Sequence, residues 1–204
     1  MYLENPNTVL HSEFYPGLTT SPEEYIENYL KSKASVLLMA GPAGTGKTTL
    51  LRHMIYKHNM CASVVYDENL MMSDSVFQTF LFDRENDVLI IEDADLIITS
   101  RQDDNNKLMS RFLNISDGLI KLPNKKLIFT TNISDFGRVD SALMRPGRCF
   151  DVMHTRHLSY EEAKKAAKVA GVTVPTEERE YTLAEVFSQK KWQEKRRVGF
   201  GFAA

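Results

Sequence analysis

The stretch Val36-Leu37-Leu38-Met39-Ala40-Gly41-Pro42-Ala43-Gly44-Thr45-Gly46-Lys47-Thr48-Thr49 decides the fold. Its first five residues are apolar without alternation, the pattern of a strand buried on both faces. Gly41 ends the run. Gly41 to Thr48 then fit G-x-x-x-x-G-K-[ST], and Leu50, Leu51, Met54 and Ile55 continue at helical spacing. Strand, glycine-rich turn and helix therefore follow one another in the order that builds a phosphate cradle. Glycines at 41, 44 and 46 let the backbone wrap closely, so that successive N–H groups face one anion. The helix N-terminus adds positive potential. Lys47 suits the β- and γ-phosphates, and the Thr48 hydroxyl suits Mg²⁺. Gly41, Pro42, Ala43, Gly44, Thr45, Gly46, Lys47, Thr48 and Thr49 are the expected nucleotide-binding residues.

Outward from this loop the chain alternates strand and helix. Residues 63–66, 88–91 and 127–131 read as strands, and 74–82 and 105–116 as helices. That alternation predicts an α/β layer fold, a parallel sheet flanked by helices. Towards the N-terminus, residues 1–20 carry Pro6, Pro16, Gly17, Tyr2, Phe14 and Tyr15 and read as an irregular arm packed on something. Ser21, Pro22 and Glu24 form a helix start with a capping box. Towards the C-terminus, Ser159 and Glu162 make a second box, with the helix stopping at Gly171, and Thr182 with Glu185 a third. The expected organisation is an arm and helix over 1–33, an α/β core over 34–155, and a small helical lid with a basic tail over 156–204.

Two more groups carry chemistry. Val88 to Ile91 end in Glu92-Asp93-Ala94-Asp95, placing carboxylates at the carboxyl end of a buried strand, where parallel sheets bind ligands. Glu92 is assigned to the Mg²⁺ side, with Thr48, and Asp93 to the attacking water, with a shift of the strand or help from Asp95 making up for its short reach. The next strand ends in Thr130-Thr131-Asn132, whose amide suits a γ-phosphate or the water. Arg145-Pro146-Gly147-Arg148 then sets two arginines on a stiff turn, both expected to point outward.

Composition excludes several classes. The 204 residues are 43% hydrophobic and 25% charged, ordinary for a globular protein. Their 25 basic and 27 acidic side chains give a net charge of −2, so bulk charge does not mark a nucleic-acid binder. No apolar run approaches the roughly 20 residues of a membrane helix, and the first residues lack a signal-peptide pattern. Two cysteines, Cys61 and Cys149, make no disulfide framework and fit a reducing compartment. A cytoplasmic location is expected.

The order Gly41–Thr48, Ile90–Asp95, Asn132 and Asp140–Arg148 resembles the AAA+ ATPases, in particular their AAA clade, whose second region of homology ends in R-P-G-R. The resemblance spans residues 34–190. Glu92-Asp93, Ser100-Arg101 and Leu113-Asn114-Ile115-Ser116-Asp117-Gly118 are similar to the mitochondrial complex III assembly group, without its membrane segment. A minimal one-module form also fits a viral source, with the host cytoplasm as its compartment. The resemblance implies a P-loop NTPase of the ASCE type that binds ATP and Mg²⁺. It makes Asn132 the first sensor, and Arg145 and Arg148 arginine fingers reaching a neighbouring subunit. It implies a homo-oligomeric ring, typically a hexamer, that remodels or translocates a macromolecule. A nucleotide-gated adaptor with little hydrolysis and a DNA motor using the Lys190–Arg197 tail are the alternatives. The lid turn is expected at Leu183-Ala184-Glu185, with Leu183 where the family usually has Gly. Leu70-Met71-Met72 stands where many relatives carry a pore loop, with core packing as the other reading. Cys149 either slips the following strand by one residue or replaces a family residue.

Overall fold

The structure, a computed structural model, describes residues 9–67, 70, 73–83, 85–98, 125–132, 139, 141, 143–145 and 147–188. The expected helix over 105–116, the 100–101 and 113–118 motifs, Met71, Met72 and the basic tail lie outside them.

Five parallel strands form one sheet in the order β2–β3–β4–β1–β5. They are β1 Val36–Ala40, β2 Ala62–Val65, β3 Val88–Ile91, β4 Lys126–Thr131 and β5 Cys149–His154. The helices are α1 Pro22–Lys31, α2 Lys47–Lys57, α3 Asp74–Phe82, α4 Asp95–Ile98 and α5 Tyr160–Ala170, followed by a short helix at 183–188. This is the expected P-loop α/β fold. Successive strand residues point to opposite faces. Leu37, Met39, Val88, Ile90 and Ile128 accordingly enter one apolar layer, with α1, α2, α5, the arm and the lid. Val36, Leu38, Leu89, Ile91, Leu127 and Phe129 enter the other, with Phe80, Ile98 and Leu143. Burial on both sides explains the unbroken apolar runs of β1 and β3 and the apolar centre of β4, Leu127 to Phe129.

The first layer joins all three expected segments. Leu10, Phe14 and Tyr15 of the arm, Met39 and Leu50 of the core, and Ala163, Leu183 and Val186 of the lid share one cluster. The sequence leaves the arm's partner open; it is the lid and the sheet face. Lys126 adds a second tie. Its ammonium donates to the carbonyls of Tyr29, Ser32 and Ala34 at 2.8, 2.8 and 3.1 Å, closing the C-terminal end of α1. Burial lowers its pKa to about 8.

Two elements escape the sequence pattern. α4 is one turn long. β5 lies at a sheet edge, and Asp151 and His154 interrupt its apolar residues. β5 also carries an irregularity: Val36 pairs with Cys149 but Leu37 with Asp151, so Phe150 is an extra residue. Such a bulge re-aims the strand locally at the sheet edge.

The helix starts follow their caps. Ser21 Oγ accepts the Glu24 N–H, and Ser159 and Glu162 form a reciprocal box that starts α5. Arg156 adds a two-pronged pair to Glu162 at 2.7 and 2.8 Å. The Arg156 hydrogen bond first, and the Ser159 N–H after it, hold the Glu162 carboxyl at about 2, below its usual 4.5. A carboxylate depressed in the folded state stabilises above its unfolded pKa, and that contribution disappears as pH falls from about 4.5 towards 2. Arg156 is 55% exposed, so solvent screens the pair. Glu162→Gln is expected to cost about 1 kcal/mol, a few degrees in Tm, at pH 7 and almost nothing near pH 2. Thermal melts of both proteins from pH 2 to 7 check this; parallel curves would contradict it.

Candidate functional site

The strand order places the chemistry. The phosphate loop leaves β1, the acidic pair leaves β3, and Asn132 leaves β4, which lies between them. All three open at the carboxyl edge of the sheet. A cleft of about 490 Å³ follows this edge. Ala43 to Thr49, Glu92, Asp93, Thr130 and Asn132 line its polar side, and Phe14, Leu183, Ala184 and Phe187 its apolar end.

The loop is shaped by its glycines. Gly44 and Gly46 have φ of 76° and 96°, the left-handed region that side chains disfavour. Gly46 caps α2, so the first helical N–H groups face the cleft. Lys47 is only 9% exposed. Its ammonium donates to the Gly41 carbonyl, to the Pro42 carbonyl at 3.0 Å and to Asn132 Oδ1 at 3.2 Å. Burial lowers its pKa, and Asp93, Asp95 and Glu92 oppose that shift. Thr49 lines the cleft beside Thr48.

Glu92 and Asp93 take different partners. Thr48 Oγ1 donates to Glu92 Oε1 at 3.3 Å, so these two oxygens meet at one side of the cleft. They are hard oxygen donors of the kind Mg²⁺ prefers, and the residues fit that ion. Asp93 turns the other way. Its φ is 51°, a left-handed conformation that Asp tolerates better than most residues. Asn132 Nδ2 donates to Asp93 Oδ1 at 2.9 Å. Asn132 thus bridges Lys47 and Asp93, as a residue on the strand between them can. Asp95 does not line the cleft. Its Oδ1 accepts from the Thr131 hydroxyl and, at 3.3 Å, from the Asn132 N–H. Asp95 thus bonds the end of β4.

The arginine pair splits, which corrects one expectation. Arg145 is exposed, but Arg148 is only 5% exposed within its own protomer. The Arg148 carbonyl accepts the Val36 N–H at 3.1 Å, which ties its backbone to the start of β1. Neither arginine lines the protomer's own cleft.

Sequence reasoning missed Phe14, Tyr15 and Phe187. Phe14 and Phe187 pack edge to face at 5.3 Å between ring centres, and Tyr15 donates to the Gly46 carbonyl at 3.0 Å. The aromatic arm and the Thr182–Glu185 box were visible signals; the long-range contact joining them was not. The box is reciprocal, at 2.8 and 3.1 Å. It sets Ala184 N–H on the Gly44 carbonyl at 2.9 Å and Leu183 against Gly46.

A parallel sheet of this order, with a glycine-rich loop, an acidic pair and a polar amide at one edge, defines a P-loop α/β fold. The family model described as "ATPase family associated with various cellular activities (AAA)" matches residues 37–156. The chain belongs to this AAA ATPase family. It is 32% identical over 163 residues to AAA-ATPase At5g17760 of Arabidopsis thaliana, covering 71% of this chain and 31% of that protein. It is 31% identical over 141 residues to the 26S proteasome regulatory subunit 8 homolog of Encephalitozoon cuniculi, covering 61% and 35%. With Protein HYPER-SENSITIVITY-RELATED 4 of Arabidopsis thaliana it shares 27% over 228 residues, covering 92% and 39%. The chain spans about a third of the length of these curated relatives. Among the described residues, no helix is long and apolar enough to cross a membrane.

Proposed function

We propose that this chain binds ATP and hydrolyses it with Mg²⁺, as one subunit of a homo-oligomeric ring, hexameric as is typical of the family, that remodels or translocates a macromolecule. The observation that carries the reading is the Lys47–Asn132–Asp93 chain of contacts beside the Thr48–Glu92 pair. The loop N–H groups and Lys47 hold the triphosphate. Thr48 and Glu92 would hold Mg²⁺, which would supply neutralisation of phosphate charge. Asn132 orients a water, and Asp93 accepts its proton as the water oxygen bonds to the γ-phosphorus. The bond from that phosphorus to the β–γ bridging oxygen breaks, and the electron pair leaves with ADP. Arg145 of a neighbouring subunit steadies the charge that develops on the transferred phosphoryl group.

Phosphate release by the purified oligomer tests the reading. Asp93→Asn is expected to lower turnover on the order of a hundredfold, the scale of losing a general base, while ATP affinity holds. Wild-type turnover no higher than that of Asp93→Asn would favour the nucleotide-gated adaptor reading instead. The DNA-motor alternative rests on the tail outside the described residues. DNA-stimulated turnover at low salt would support it.

A further inference from the structure

Thr155 follows β5 directly and lies under the phosphate loop. Its N–H donates to the Ala40 carbonyl at 2.7 Å, and its hydroxyl lies 3.2 Å from the same oxygen. Thr45 Oγ1 and Thr155 Oγ1 are 2.7 Å apart, and Thr45 Oγ1 lies 2.7 Å from the Pro42 carbonyl. The two residues are 3% and 8% exposed, so these hydroxyls have little access to water. A Cβ on Gly41 would sit 2.0 Å from the Thr155 carbonyl oxygen. The first glycine of the loop therefore lacks a side chain because Thr155 occupies that place.

Each hydroxyl has one proton to give. When Thr45 donates to Pro42, Thr155 donates to Thr45, and the chain runs from β5 through Thr45 to the turn of the loop. The Pro42 carbonyl also accepts from Lys47 at 3.0 Å. A triphosphate draws that ammonium away, and the Thr45 hydroxyl then stays as the side-chain donor on Pro42. We propose that Thr155 is a positioning residue for the phosphate loop: acting through Thr45, it keeps the Pro42 turn in place once Lys47 has moved to the phosphates, so that the loop N–H groups stay aimed at the ligand. The proposal rests on the cleft being a nucleotide site.

Calorimetric titration with ADP and with ATP separates the two. Thr155→Val keeps the shape and removes the hydroxyl. It is expected to raise the Kd for both nucleotides about five- to fiftyfold, the effect of one lost buried hydrogen bond. Thr155→Ser is expected to recover affinity to within about threefold of wild type. Thr45→Val should weaken binding too, and adding Thr155→Val to it should change little, because the two hydroxyls act as one unit. Wild-type-like Kd values in Thr155→Val, failure of Thr155→Ser to rescue, or additive losses in the double variant would each overturn the proposal and leave the nucleotide site standing. Should Thr155→Val fail to fold by circular dichroism, Thr45→Val decides, and an unchanged Kd there overturns the proposal. A wild-type protein that binds neither nucleotide overturns both readings.

Discussion

Lys47→Ala is expected to weaken ATP and ADP binding by about 10³-fold and to bring phosphate release to background, because a buried ammonium makes charge-assisted bonds worth about 1.5–3 kcal/mol each. In the structure Lys47 satisfies itself on the Gly41 and Pro42 carbonyls and on Asn132. Three hydrogen bonds thus anchor the lysine at the cleft. Lys47→Arg is expected to fail nearly as badly. A planar guanidinium is larger than an ammonium and cannot aim its donors at two carbonyls of one tight loop in the same way. The test is nucleotide Kd by calorimetry beside phosphate release, with Tm measured to establish that each variant is folded. Near-normal affinity in a folded Lys47→Ala protein would contradict the assignment of the cleft.

Much of this site was legible because its parts lie next to strongly patterned strands. β1, β3 and β4 are buried on both faces, so β1 and β3 are unbroken apolar runs and β4 has the apolar centre Leu127 to Phe129, and each strand leads to a chemical group. Gly46-Lys47-Thr48, Glu92-Asp93 and Asn132 could be placed at one sheet edge from that alone. β5 was not legible. An edge strand is half exposed, and Asp151, His154 and the bulge at Phe150 break its periodicity. Arg148, expected to point outward, is buried in its own protomer, and its carbonyl pairs with Val36, a long-range backbone contact with no local signature. The apolar end of the cleft was hidden likewise, because Phe14 and Phe187 stand far apart in sequence and meet only after the lid docks. Local pattern names the elements; contacts between distant segments complete the site.

The division between the two arginines bears directly on how hydrolysis is completed. Arg145→Ala is expected to lower turnover by about 10³- to 10⁵-fold, the scale of losing an arginine finger. Its effect on the protomer's own ATP affinity should be small, since Arg145 does not line that protomer's cleft. Arg145 is nonetheless well supported. Its carbonyl accepts the N–H groups of Arg148 and Cys149 at 3.1 and 3.2 Å, and Gly147, at φ 87°, turns the chain between them. The turn is therefore fixed to the start of β5 while the Arg145 side chain stands in solvent, free to meet another molecule. Arg148, buried at 5% exposure, is expected to act differently. Arg148→Ala should lower Tm, because it removes a large side chain from the base of the turn. A mixing experiment separates catalysis between subunits from catalysis within one. Arg145→Ala retains an intact Asp93, and Asp93→Asn retains an intact Arg145. Combined one to one in a ring, about a quarter of interfaces join a working cleft to a working arginine, so turnover should rise to about a quarter of wild type. Each variant alone remains near background. No recovery in mixed oligomers whose assembly is verified by light scattering would mean that Arg145 does not reach a neighbour's phosphate. Full turnover by isolated wild-type protomers would say the same, for among the described residues no arginine lines a protomer's own cleft.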